Sequence, residues 1–389
     1  MINTTAMTHG KEIIPTPYYK YDMRLLDETL SRISDELRPY NNYHLHYAVK
    51  ANTNPDVLKR IAAQGFGADC VSGGEIRAAL AAGFPANSIS YAGVGKADWE
   101  IRLALEAGIE CFNVESIAEL EIIAEIATEL NMVAPVCFRI NPDVGAHTHA
   151  NITTGMAENK FGIAKEDMVK VIRMAEQMPA IKCIGLHFHI GSQILDMQDF
   201  LDLALRINEL QDQLDEAGIE TLPIINVGGG LGVDYDDPDK HPFADFHSYF
   251  STYTDNLRLR SGQQVIFELG RAVVAQIGQL VTRVLYVKEG TVKKFVIVDA
   301  GMTELIRPAL YDAKHHIVNV TAEQRGDAVL EKYDVVGPIC ESSDVFATDL
   351  LLPHTQRGDI ISIASAGAYG ETMASQYNCR PLPKVVLEW

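Results

Sequence analysis

Apolar residues follow two different rhythms along this chain, and the change between them divides it. Up to about residue 270, short β-rich runs recur: HLHYAV (44–49), GADCV (67–71), ISYA (89–92), ECFNV (110–114), APVCFRI (134–140), KCIGLHF (182–188), LPIINV (222–227) and QVIFE (264–268). Between them, apolar positions fall three or four apart over 55–64, 74–82, 97–107, 116–130, 165–177, 196–217 and 244–259, the mark of amphipathic helices. Ser116 and Glu119 stand at capping-box spacing. Strands alternating with helices predict a parallel sheet with right-handed crossovers. Such a sheet either stays open and doubly wound or closes on itself. Eight strands over a span near the typical ~250 residues favour closure into a (β/α) TIM-like barrel. A helix over 22–37, before the first strand, would cover the barrel position that lacks a following helix.

Beyond about residue 271 the pattern becomes VVAQIGQLVTRVLYVK, KFVIVD, HHIVNV, KYDVVG, DIISI and KVVLE, alternating or β-branched, with turn residues between. No helix of more than two turns is evident there. The α/β fold class is thus an eight-stranded barrel over 22–270 followed by an all-β domain over 271–389, with residues 1–21 joining the latter.

Composition narrows the function. Lys and Arg number 33 against 52 Asp and Glu, a net charge of −19 that repels phosphate backbones and anionic lipid. Nucleic acid and membrane surfaces are therefore not expected partners. No apolar run reaches the ~18–20 residues of a span, and MINTTAMTHGKEIIP lacks the basic and apolar regions of a signal peptide. Cys70, Cys111, Cys137, Cys183, Cys340 and Cys379 form no CxxC pair and read as reduced thiols of a cytoplasmic protein.

In such barrels functional groups gather where strands end. Lys50, Asp69, His187 with His189, Gly228-Gly229-Gly230, and Glu268 with Arg271 all fall at predicted strand ends. Lys50 is either a lysine reaching solvent or a desolvated amine able to condense with an aldehyde. The triglycine is either a tight strand exit or a loop whose amides approach a phosphate, with Ser192 and Arg271 as further donors. His187 and His189, like His147 and His149, have HxH spacing, which a metal-dependent barrel hydrolase would use. Glu268 either pairs with Arg271 or keeps a heterocyclic nitrogen protonated. Amine, phosphate cradle, carboxylate and imidazole together match pyridoxal phosphate.

YAVKAN (47–52), HFHIGSQ (187–193), GGGLG (228–232), ELGR (268–271), CESSD (340–344) and GAY (367–369) resemble fold-type III pyridoxal-phosphate decarboxylases, the ornithine and diaminopimelate decarboxylases, with an alanine racemase-like architecture. The resemblance runs from about residue 15 to the C-terminus. HTHANITTGMAENKFGI (147–163), DAGMTELIRPALYDA (299–313) and VVGPICES (335–342) are similar to the diaminopimelate branch. It implies Lys50 as the Schiff-base lysine, His189 stacked on the cofactor ring, and Gly228, Gly229, Gly230 and Ser192 at the phosphate. Glu268 would pair with the pyridine nitrogen and Tyr369 contact phosphate or substrate. Arg271, Arg307 and Tyr311 would take the substrate's carboxylates, Glu341 its distal ammonium, and Cys340, from a partner subunit, would reprotonate the product. The implied activity is decarboxylation of meso-2,6-diaminopimelate to L-lysine by a homodimer with shared sites. A decarboxylase of ornithine, lysine or arginine is the alternative within the class. A silent regulatory module would have lost Lys50 or Cys340. Leu269 and Ser343 depart from the family's usual Pro and Gly and change local backbone stiffness.

Overall fold

The computed structural model describes residues 8–9, 12–145 and 160–389, so His147, His149 and most of the 147–163 motif lie outside the described residues. Eight parallel strands run β1 (Tyr43–Ala48), β2 (Gly67–Cys70), β3 (Ile89–Tyr91), β4 (Cys111–Val114), β5 (Ala134–Asn141), β6 (Ile181–His187), β7 (Ile224–Gly228) and β8 (Gln264–Leu269). Each pairs with the next, and β8 returns to β1 with Val265 opposite Tyr43 and Leu269 opposite Tyr47. The sheet is a closed barrel, and the open alternative is excluded.

Local chemistry sets the helices between strands. Asn54 caps Pro55–Ala62 by accepting from the Asp56 amide, with proline in the first turn. Ser72 caps Gly73–Ala82, which ends where Gly83 takes φ +99°. Ser116 accepts from the Glu119 amide, as the spacing predicts, but the Glu119 carboxylate reaches the amide of Glu115 rather than that of the cap. The reason is Lys96, whose Nζ lies 2.6 Å from Glu119 Oε1.

Outside the barrel, Phe267 of β8 meets Tyr43, Tyr249, Phe250 and Tyr253, with ring centroids 5.3, 5.7, 4.9 and 5.5 Å away. This aromatic cluster fastens the helix Phe246–Asn256 to the sheet. Within the barrel, Gly67 leaves space for a neighbour's ring, since a Cβ there would lie 2.3 Å from His46 Cδ2. His46 bonds Ser90 Oγ through Nδ1 at 3.1 Å and approaches Glu110 Oε2 at 3.4 Å. Burial holds His46 down to about 4 and, with the charge of Glu268 added, pushes Glu110 up to about 7.

Contacts divide the chain into two compact units. One comprises Asp27–Val233 and Ala244–Val273; the other comprises the residues up to Leu26, Asp234–Phe243 and Val274–Trp389. The second unit is built on a mixed sheet in the order Ile317–Asn319, Ile360–Ile363, Gly278–Glu289, Lys294–Val298, Leu330–Val336, Val345–Pro353. Tyr18–Asp22 joins it, antiparallel to Gly278–Glu289 and parallel to Lys384–Glu388. The short helices Arg307–Tyr311 and Val320–Arg325 also belong to it.

Glu110 makes stability depend on pH. Its acid form is favoured on folding, so its contribution is complete below about pH 4 and is lost as pH rises through 7. His46 acts oppositely, losing its contribution as pH falls from about 6.5 through 4. Glu110→Gln should therefore flatten the fall in Tm between pH 5 and 8 and gain on the order of 2 kcal/mol on wild type at pH 8. Parallel Tm–pH curves for the two proteins would show that Glu110 is not the titrating group.

Candidate active site

Lys50 occupies the single turn Val49–Ala51 after β1, and register sets Ala48 opposite Asp69 at the end of β2. Its Nζ lies 3.8 Å from Asp69 Oδ2, with the lysine side chain 42% exposed and the aspartate 3%. The amine is thus not desolvated by its strand, as the sequence alternative required. It reaches solvent beside a buried acid. Burial and the charge of Glu268 push Asp69 up to about 8, against the pull of Lys50.

Glu268 is buried on β8. Asn226 Nδ2 donates to its Oε1 at 2.6 Å, Asn113 Nδ2 at 3.3 Å, and His187 Nε2 meets Oε2 at 3.0 Å. Burial alone would raise its pKa. His187 and Asn226, with Lys50, reverse that and hold the carboxyl well below the usual carboxylate range. Arg271, the alternative partner, donates to Ser192 Oγ at 3.1 Å.

The triglycine is confined by its surroundings. A Cβ on Gly229 would lie 1.8 Å from the Glu268 carbonyl oxygen, and one on Gly228 would lie 2.2 Å from that of Phe188. Gly228 N–H donates to Asn226 Oδ1 at 2.9 Å and Gly229 N–H to His189 Nδ1 at 3.4 Å. Burial, then Arg139 and Lys50, push His189 well below 6.5, so the ring is neutral at neutral pH. Lys50, His189, Ser192, Gly228–Gly230, Glu268 and Arg271 are therefore gathered at the strand ends of one unit. Asp69 Oδ1 and His187 Nδ1 are buried there without a hydrogen-bond partner among the described residues. An amine, an ionised carboxylate, a neutral imidazole and a glycine loop without side chains form a set that fits pyridoxal phosphate.

Arg307, Tyr311, Cys340, Glu341 and Tyr369 lie in the other unit. Arg307 is buried, 4.6 Å over the Tyr235 ring, and donates to His315 Nε2 at 2.9 Å. Because Arg can only donate, His315 carries its proton on Nδ1 and gives it to the Ala364 carbonyl, 2.9 Å away. Tyr311 ends its short helix half-buried, and Tyr369 is half-buried at φ +56°. Cys340 and Glu341 are exposed.

Reading by residue type missed Asn226, Asn113 and the packed pairs Arg139–Glu115 and Lys96–Glu119. Arg139 Nη1 lies 2.9 Å from Glu115 Oε1, and Glu115 also accepts from the Gly162 amide at 2.9 Å. The available signal was position. Asn226 precedes the triglycine by two residues, and Asn113 and Arg139 sit near strand ends, as the chosen residues do.

Residues 24–275 match the family described as pyridoxal-dependent decarboxylase, pyridoxal binding domain. A diaminopimelate decarboxylase of Bacteroides thetaiotaomicron is 62% identical over 371 residues, covering 95% of each chain. One from Zymomonas mobilis is 43% identical over 96% of this chain and 87% of its own. The solved Helicobacter pylori diaminopimelate decarboxylase complexed with L-lysine superposes with a TM-score of 0.90 at 39% identity, over 96% of this chain and 92% of that one. With the barrel, the strand-end lysine and the glycine loop in place, the chain belongs to the pyridoxal-dependent decarboxylase family, in its diaminopimelate decarboxylase branch.

Proposed function

We propose that this chain decarboxylates meso-2,6-diaminopimelate to L-lysine and CO2, with pyridoxal phosphate held at the strand ends of the barrel. The observation that carries the reading is Glu268, a buried carboxylate kept ionised in the same barrel as Lys50. When bound, pyridoxal phosphate supplies an aldehyde for amines and a ring that takes up the electron pair CO2 leaves behind. Lys50 would hold the aldehyde, Gly228 to Gly230 with Ser192 the phosphate, and Glu268 the protonated ring nitrogen. Neutral His189 suits the ring face, where a second cation would oppose that proton. Tyr369 would contact phosphate or substrate.

Substrate choice would rest with Arg271, Arg307 and Tyr311 for carboxylates and Glu341 for the distal ammonium. Cys340 would deliver the proton that replaces CO2. Arg307 favours diaminopimelate over ornithine, lysine or arginine, because a guanidinium placed for a distal carboxylate gains nothing from a substrate that lacks one. The relatives' names support the same substrate. The active unit is a homodimer sharing its sites. Its support is the exposure of Cys340 and Glu341, since an acid and an ammonium-binding carboxylate work best away from water. Among the described residues no helix is long and apolar enough to cross a membrane. All six cysteines are free, which suits a cytoplasmic setting.

Three outcomes test this. The protein loaded with pyridoxal phosphate should absorb near the visible edge, and borohydride should fix the cofactor to the peptide containing Lys50; label on another lysine removes Lys50 from its role. CO2 release should favour meso-diaminopimelate over lysine and ornithine by roughly 100-fold or more in kcat/KM, and Arg307→Met should erase most of that preference. Equal turnover of lysine would overturn the substrate assignment. Finally, Lys50→Ala and Cys340→Ala homodimers should each be nearly inactive. Exchanged at random, half the dimers become hybrids with one intact site, so activity should return to about a quarter of wild type. Confirmed exchange without recovery would mean that both residues act within one chain.

A further inference from the structure

The loop from Gly337 to Asp344, which joins Leu330–Val336 to Val345–Pro353, is tied at its base and bare at its tip. Asp344 is buried and accepts from the amides of Ile339 at 2.7 Å and Met302 at 2.6 Å. The tip is Cys340 and Glu341, both exposed, so burial does not fix their direction. Two bonds from one other segment do so. Tyr377 donates its hydroxyl to Glu341 Oε1 at 2.6 Å, and the Cys340 amide donates to Asn378 Oδ1 at 3.2 Å. The bond to Glu341 raises the Tyr377 phenol above its ordinary value, so it remains a donor at neutral pH.

The backbone of that segment is unusual. Asn378 and Cys379 take φ +55° and +59°, two successive side-chain-bearing residues in the left-handed region. Asparagine tolerates this region better than most residues, but a consecutive pair is costly and persists only where the surroundings dictate it. The left-handed pair turns the chain so that adjacent residues address adjacent residues, Tyr377 to Glu341 and Asn378 to Cys340.

We propose that the turn Tyr377–Cys379 is the positioning device of the recognition loop, with the Tyr377 hydroxyl aiming the Glu341 carboxylate and the Asn378 amide oxygen fixing the backbone under Cys340. Tyr377 is then a specificity-determining positioning residue, acting on the distal ammonium through Glu341, and Asn378 acts on the proton-delivering step through Cys340. This rests on the roles proposed above for Glu341 and Cys340.

The test uses the full chain loaded with pyridoxal phosphate. Tyr377→Phe removes one oxygen from an exposed ring and should raise KM for meso-diaminopimelate about tenfold while kcat stays within about a factor of two. Asn378→Ala should speed hydrogen exchange at the Cys340 amide by about tenfold or more, and Asn378→Asp, which keeps the acceptor, should restore protection. An unchanged KM removes Tyr377 from the device, and unchanged exchange at Cys340 removes Asn378; either result overturns the proposal. If the wild-type enzyme releases no CO2 from meso-diaminopimelate, the substrate reading falls separately, and the exchange measurement still decides whether the turn holds the loop.

Discussion

A carboxylate buried in a barrel and still ionised is the constraint around which this structure is arranged. Removing Glu268 from water favours its neutral form, and only nearby donors can reverse that. The barrel brings three of them from three strands, Asn113 of β4, His187 of β6 and Asn226 of β7. A hydrogen bond to a charged group contributes about 1.5–3 kcal/mol, so two or three offset much of the desolvation penalty. Asn226 comes from the strand paired with β8 and His187 from the next, while closure of the sheet brings Asn113 across to join them. In an open sheet, β4 and β8 would stand far apart along the edge-to-edge direction.

Asn226 carries the constraint outward. Its Oδ1 is taken by the Gly228 N–H, which leaves only its Nδ2 for Glu268. The amide cannot flip without breaking both bonds. The carboxylate and the start of the glycine loop are therefore one hydrogen-bonded piece, and the loop is wedged so closely that Gly229 has no room for a Cβ beside the Glu268 carbonyl. A cofactor with a cationic ring nitrogen at one end and a phosphate at the other would meet two anchors whose separation is preset.

The sequence made the barrel legible because its strands are short, apolar and regularly spaced, and each observed strand falls within a residue or two of an apolar run. Lys50, Glu268 and the triglycine were legible for the same reason, each standing where such a run ends. Partnership was not. Glu268 was as compatible with Arg271, three residues on, as with His187, 81 residues away, because only the strand order sets β6 one strand away from β8. Lys50 is not desolvated by an apolar wall, because it lies in the turn past its strand, beside Asp69. Tyr377 and Asn378 were invisible, since nothing in QYNCR marks a left-handed turn or a bond to residues 36 and 38 positions earlier.

Glu268's donors differ in how they stabilise its charge. A guanidinium in bidentate contact would hold the carboxylate ionised more firmly than two amides do. It would also spend the negative charge, leaving no net field for a protonated ring. Two of the three donors are side-chain amides, which lower the energy of the anion through dipoles, while His187 does so through charge as well. Arg271 is close in sequence, yet it donates to Ser192 rather than to Glu268. His189 is neutral because burial, and then the charges of Arg139 and Lys50, disfavour its protonated form. Around this barrel mouth, Glu268 is held ionised by His187, by two side-chain amides and by the charge of Lys50, with the neutral His189 nearby.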